Sequence, residues 1–338
     1  MLSRIASSLY WLGAYIERAE NVARLVDVNL HLMLDLSVGA TEQWEPLVWT
    51  TGDHELFQEH YSTGSQENVM RFLTFDSRNP NSVFSALTQA RDNARSVRDT
   101  MSGEIWEQIN RAYLFVRDAA DENSALETPH DFYNEVKLLC NLVSGVTDTT
   151  QSRGEAWHFL NIGRLLERAD KTSRIIDLKY YIVLPTLDDV GTPFDKLHWA
   201  ALLKSASALE MYRKRFGRIS LREAVEFLVM NRTFPRAIHY CLMRAEESLH
   251  EVVGSSPGTY RNPAQRLIGQ LRATLNYIQI DEIIQFGLHE WLDNFQTRLN
   301  EAGAAISRLF FDGRADAGET VETGETDQER QAVEHALA

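Results

Sequence analysis

The stretch Leu12-Gly-Ala-Tyr-Ile-Glu-Arg-Ala-Glu-Asn-Val-Ala-Arg-Leu-Val-Asp27 returns 150 residues later as Ile162-Gly-Arg-Leu-Leu-Glu-Arg-Ala-Asp-Lys-Thr-Ser-Arg-Ile-Ile-Asp177. Six of the sixteen positions are identical, and most of the others exchange similar side chains, where composition alone gives about one identity. Each copy carries apolar residues at helical spacing and no proline, so each reads as part of one long helix. A second block repeats at a shift of 155: Phe72-Leu73 over Phe227-Leu228, Pro80 over Pro235, Val83 over Ile238, Leu87 over Leu242 and Ala90 over Ala245. Two blocks in the same order at nearly the same spacing indicate an internal duplication.

Outward from the repeat, strand signals are almost absent and helical periodicity runs nearly everywhere. The pattern predicts long helices near 3–36, 80–99, 102–122, 129–151, 155–184, 235–253, 262–276 and 280–311, with shorter ones near 43–60, 66–75, 195–215 and 220–229. Asn79-Pro80, Thr128-Pro129 and Asn262-Pro263 each put a capping side chain before a proline suited to the first helical turn. Ser220 with Glu223 has the spacing of a capping box. The expected fold is all-α: a helical bundle of two pseudo-equivalent halves, 1–152 and 153–311, in one compact body.

Composition agrees with this reading. The chain has 338 residues, 44% hydrophobic and 24% charged, enough to bury a sizeable core. Residues 312–338 hold eight acids and two bases and few apolar side chains, so that tail is expected to be disordered. The formal charge of −14 argues against nucleic acid and anionic membranes as partners, because both select basic surfaces. Cys140 and Cys241 stand apart on apolar helical stretches, which suggests a reducing compartment and no disulfide or zinc framework. The uncharged run from Ile5 to Ile16 leads into Glu17 and Arg18 without a cleavage site, unlike a signal peptide. A cytoplasmic location is therefore expected.

The charges of the repeat are the candidate site. Glu17, Asn21, Arg24 and His31 share one helix face, and Glu20 precedes Arg24 by four residues, the favoured order for a helical ion pair. Their helix is apolar nearly all round, hence buried, and buried charges must be paired or must face a cavity. The second copy has Glu167, Asp170 and Arg174, with Arg164 one turn before Arg168. Two readings follow. Either Glu and Arg pair across two crossing helices and fix the halves together, or Arg18, Arg24, Arg168 and their acidic neighbours line a pocket that binds a carboxylate, phosphate or amine. Arg91, Arg95 and Arg98 share another face. It is read as a solvated basic face, or as one that docks an acidic partner or meets Glu17 and Glu20.

Other chemistry finds little support. There is no P-loop or dinucleotide fingerprint, no Gly-x-Ser-x-Gly and no His-Glu-x-x-His, so no cofactor is expected. Cys140 is a poor nucleophile because an apolar helix raises its thiol pKa. Glu155-Ala-Trp-His158 and Glu247-Ser-Leu-His250 have the spacing of a dinuclear bundle motif, but they fall at non-equivalent places in the halves, and no metal site is assigned.

The paired Glu-Arg-Ala-(Glu/Asp) helices, each followed by Phe-Leu and a proline-started helix, resemble the bacterial alpha-E family over essentially the whole chain to about Asp312. Matching stretches include Tyr15 to Arg24, Ala90 to Arg95, Gly163 to Asp170, and Phe234-Pro235. The resemblance implies a pathway more than a reaction. Members are typically encoded beside a circularly permuted ATP-grasp ligase and a transglutaminase-like protease. This implies a non-catalytic partner that binds the ligase or its peptide or acidic product. The alternative is an enzyme with Glu17 or Glu167 as acid/base and Arg24 or Arg174 as carboxylate clamp.

Overall fold

The computed structural model describes residues 1–35, 44–122, 127–181 and 193–312. Among these residues there are fifteen α-helices and no strand, so the all-α expectation holds. In chain order they are α1 (Ser3–Asp35), α2 (Glu45–Thr51), α3 (His54–His60), α4 (Gln66–Thr74), α5 (Val83–Ser96), α6 (Gly103–Glu122), α7 (Pro129–Thr150), α8 (Glu155–Tyr181), α9 (Pro193–Ser205), α10 (Leu209–Phe216), α11 (Leu221–Met230), α12 (Ile238–Val253), α13 (Pro263–Tyr277), α14 (Ile280–Phe286) and α15 (Leu288–Phe310). The expected tail from 313 onward lies outside the described residues.

Three of the expected helices are each two. The 43–60 run breaks between α2 and α3 at Gly52. The 195–215 run breaks where Ser207 takes a φ of 54°. The 280–311 run breaks at Gly287, whose φ of 109° is open to glycine and strained for other residues. Pro80 and Pro235 do not start helices. Asn79 instead ties a turn together, donating to the Phe72 carbonyl and accepting from the Asn81 N–H, and Ser82 caps α5. Asn262 caps α13 as expected, whereas the Thr128 side chain caps nothing. Ser220 accepts from the Glu223 N–H, but the Glu223 carboxylate takes the Ser220 hydroxyl and leaves the Ser220 N–H to Tyr212. The complete capping box is at Gln279 and Glu282.

Around α1 pack α5 and α7, with α6 against both; around α8 pack α12 and α15, with α13 against both. One apolar cluster is drawn mainly from Leu12 to Val143, the other from Ile162 to Ile306 plus Tyr10. The two groups meet chiefly where α1 lies along α8. Gly13 lies against Leu160 and Gly163 against Tyr10, and one turn further along both helices Glu17 meets Arg168 and Arg18 meets Glu167, so the two helices run in the same direction. Two glycines permit the close approach: a Cβ on Gly13 would strike the Leu160 carbonyl, and one on Gly163 would strike the Tyr10 carbonyl.

Candidate functional site

One helical turn past the glycines, the Glu-Arg dipeptides of α1 and α8 reach across to each other. Arg168 donates to both oxygens of Glu17 at 2.9 and 2.6 Å, and Arg18 donates to both oxygens of Glu167 at 2.7 and 2.9 Å. Paired parallel hydrogen bonds of this kind fix orientation as well as charge.

The Glu17 carboxylate is 1% exposed and also accepts from Arg236 Nη1 at 2.9 Å and Asn21 Nδ2 at 2.8 Å. Burial by itself would raise its pKa, but the Arg168 and Arg236 charges and hydrogen bonds outweigh burial and hold it well below the usual carboxylate range. Glu20 accepts from Arg24 at 2.5 Å and Arg236 at 2.6 Å. In the other copy, burial likewise opposes ionisation of Glu167, and Lys171 and Arg18 overcome it. Asp170 is pushed down to about 2, because Lys171 and Arg174 overcome its burial. Its Oδ2 meets both cations at 3.0 and 2.9 Å, while Oδ1 is buried without a partner. Arg18 also donates to Asn81 Oδ1 at 2.8 Å.

Glu–Arg pairing across the helices is present in Glu17–Arg168 and Arg18–Glu167. Asn21 supports Glu17, and Glu20–Arg24 and Asp170–Arg174 pair within their own helices beside it. Arg18, Glu167, Asp170 and Arg174 also line a cleft, as the other reading expects. Arg91 and Arg95 take no part in this network, which corrects the idea that their face meets Glu17 and Glu20. Arg91 donates to Asn110 and lies 4.7 Å from the centre of the Tyr113 ring, Arg98 lies over Trp106, and Arg95, 66% exposed, pairs with Asp92.

Sequence reasoning missed Arg236, which joins Glu17, Glu20 and Asn21. It sits in the turn before α12, off any helical period. The shift of 155 that lays Pro235 over Pro80 also lays Arg236 over Asn81, the partner of Arg18, and that was the available signal. Two Asp–His pairs were missed as well. Asp27 meets His130 at 2.9 Å and Asp177 meets His289 at 2.8 Å.

Two clefts flank the ionic crossing. One, of about 370 Å³, is lined by Arg18, Glu167, Asp170, Lys171 and Arg174 together with Tyr10, Trp11 and Phe311. The second, of about 880 Å³, is lined by Arg164, Arg168, Trp157, Tyr240, Glu247 and Glu251 among others. Burial raises the Cys140 thiol and pushes that of Cys241 up to about 12, so both remain protonated thiols. Among the described residues, the His/Cys/Asp/Glu group close enough to share an ion is Asp27, His31 and His130, and there Lys137 already holds Asp27 at 2.7 Å. Three of the four Glu-x-x-His residues are engaged elsewhere: Glu155 with the Met1 amine, Glu247 with Arg244, and His250 with Ser255.

Residues 1–311 match the family model Alpha-E, described as a predicted alpha-helical domain with a conserved ER motif, and the chain belongs to that family. It is 23% identical over 300 residues to an uncharacterized protein of Mycobacterium bovis and to uncharacterized proteins of two strains of Mycobacterium tuberculosis. Each match covers 83% of this chain and 33% of the relative, so the chain spans about a third of the length of the curated relatives it matches. No solved structure matches it significantly. Among the described residues no helix is long and apolar enough to cross a membrane.

Proposed function

We propose that this Alpha-E protein is a non-catalytic component of a peptide (amide) ligase system. It is a helical body, duplicated from one four-helix unit, that binds an ATP-grasp-type ligase or its peptide or acidic product. The observation that carries the reading is the environment of Glu17. A general acid or base must reach substrate and exchange a proton near the working pH. Glu17 is shut off from solvent, saturated by Arg168, Arg236 and Asn21, and held ionised. Glu167 is similarly engaged by Arg18 and Lys171. The motif charges serve best as a lock between the two groups of helices, and the clefts beside them serve as binding surfaces.

The duplication is supported by parts that correspond. α1, α5, α6 and α7 pack on one another as α8, α12, α13 and α15 do. The pairs Arg18–Glu167 and Arg168–Glu17 are images of each other at the 150-residue shift. The repeated Asp27 and Asp177 each receive a histidine from the first turn of α7 or α15. The component reading is supported by the relatives, in which the matching region is a third of a longer polypeptide, as suits a module working beside other domains.

The test is co-expression with the ATP-grasp ligase encoded nearest to it. Co-elution on size exclusion is expected, and clean separation at micromolar concentration would overturn the ligase partnership. The competing enzyme reading instead requires Glu17→Gln to abolish turnover without lowering the melting temperature.

A further inference from the structure

Laid over each other, the two copies of the repeated stretch differ by a whole charge at two positions, Asn21 over Lys171 and Ala14 over Arg164. Lys171 pairs with Glu167 and Asp170, whereas Arg164 stands outside that network. The lock has no use for a cation there. Glu17, Glu20, Glu167 and Asp170 are already faced by Arg18, Arg24, Arg168, Lys171, Arg174 and Arg236. Arg164 adds to a surplus of buried positive charge.

Its own partners are few. The side chain is 13% exposed. Nη2 donates to Asn161 Oδ1 at 2.7 Å, Nε is buried with no partner, and the nearest carboxylate, Asp148, stands 3.6 Å off and is 43% exposed. Burial, reinforced by the charge of Arg168, lowers the Arg164 pKa, as expected of an arginine desolvated without a full counter-ion.

We propose that the cleft at Arg164 binds the carboxylate of a peptide, with Arg164 as its counter-ion. This inference rests on the binding-component reading, whose ligand class it narrows. The cleft volume of about 880 Å³ suits a segment of a few residues. Trp157, stacked with Arg153 at 4.1 Å, and Tyr240, beside Arg244 at 5.5 Å, form aromatic walls for a peptide backbone. Glu247 and Glu251 share the lining. The lining sets Arg153, Arg164, Arg168 and Arg244 against Asp148, Glu247 and Glu251, one negative charge short of balance, which a singly charged carboxylate fills and a doubly charged phosphate exceeds. Glu251 offers an acceptor to amide or ammonium N–H groups.

The experiment titrates the full chain, without any ligase, with acetyl-trialanine as the free acid, with its C-terminal amide, and with inorganic phosphate, each followed by calorimetry. The free acid is expected to bind at least about tenfold more tightly than the amide, the difference one charge-assisted hydrogen bond supplies, and phosphate is expected not to displace it. Arg164→Ala is expected to remove that preference while keeping or raising the melting temperature, since alanine occupies the corresponding place in the first copy. Equal binding of acid and amide, preferential binding of phosphate, or no binding at millimolar peptide would overturn the site. The acid and amide comparison is made on the unaltered chain, so it stands even if the variant misfolds. Ligase co-elution is read separately. Co-elution without peptide binding overturns this site alone, and peptide binding without co-elution overturns the ligase partnership alone.

Discussion

Replacing Glu17 by glutamine separates the lock from the catalytic reading. The new side chain would keep the size of the old one but lose its charge, and its amide nitrogen would point a donor at donors. At most one oxygen would remain for Arg168 Nε and Nη2, Arg236 Nη1 and Asn21 Nδ2, which now share two. Arg168 and Arg236, 14% and 9% exposed at the side chain, would be left as buried cations with too few partners. Breaking one side of a buried ion pair in this way costs about 3 to 5 kcal/mol. With an unfolding entropy near 2.1 cal/mol/K per residue, that cost lowers the melting temperature of a body of this size by about 5 to 8 °C. Thermal unfolding followed by circular dichroism at neutral pH is the assay. A variant that melts with the unaltered protein would overturn the lock, because it would mean that the carboxylate is not holding the arginines in place.

Four further outcomes follow from the same contacts. Gly13→Ala gains helix propensity of about 1 kcal/mol but drives a methyl into the Leu160 carbonyl, so denaturant titration should show a net loss of at least about 1 kcal/mol; a stabilised variant would mean the helices are not in backbone contact. Arg236→Ala strands Glu17 and Glu20 and should cost about 3 to 5 kcal/mol, whereas Arg95→Ala, on an exposed face, should stay within about 0.5 kcal/mol; similar losses for both would contradict the assignment of Arg236 to the lock. Glu17, Glu167 and Asp170 all titrate lower in the folded chain than their ordinary values, so the unfolded chain binds more protons. Stability should be full above pH about 4.5 and fall as pH drops toward about 2, and a melting temperature that is flat across that window would count against the network. Finally, the solvent-shielded thiols of Cys140 and Cys241 should react with a thiol reagent only on unfolding, and rapid labelling of the native chain would contradict their burial.

The fold class was legible because helix burial writes a period into the sequence. The stripes of α1 and α8 are long enough to survive chance, and the repeated Glu-Arg dipeptides already offered a charged helix pair as one of two readings, whereas the part played by Gly13 and Gly163 shows only in the packing. Helix ends were less legible. Ser82 and Pro80 compete to start α5, and only the turn built by Asn79 decides between them. Ser207 adopts a positive φ with nothing in its residue type to announce it. Within the site, the in-helix pairs Glu17–Asn21 and Glu20–Arg24 follow from spacing alone. The face of Arg91 and Arg95 was equally regular but points elsewhere, since periodicity places residues on one side of a helix without saying which neighbour that side meets. Arg236 falls in a turn where the pattern predicts a helix from 235, so apart from its place over Asn81 in the 155-residue repeat it is the packing that brings it to Glu17 and Glu20.

If the Glu-Arg motif is an interhelical lock, its two long helices must be energetically coupled through Glu17 and Arg168, and a double-mutant cycle reads that coupling. Glu17→Gln, Arg168→Gln and the double variant, unfolded in urea beside the parent, give the interaction between the two side chains free of their separate effects. A coupling of about 2 to 3 kcal/mol is expected for a buried pair joined by two hydrogen bonds. A value below about 0.5 kcal/mol, where independent sites add, would contradict the lock.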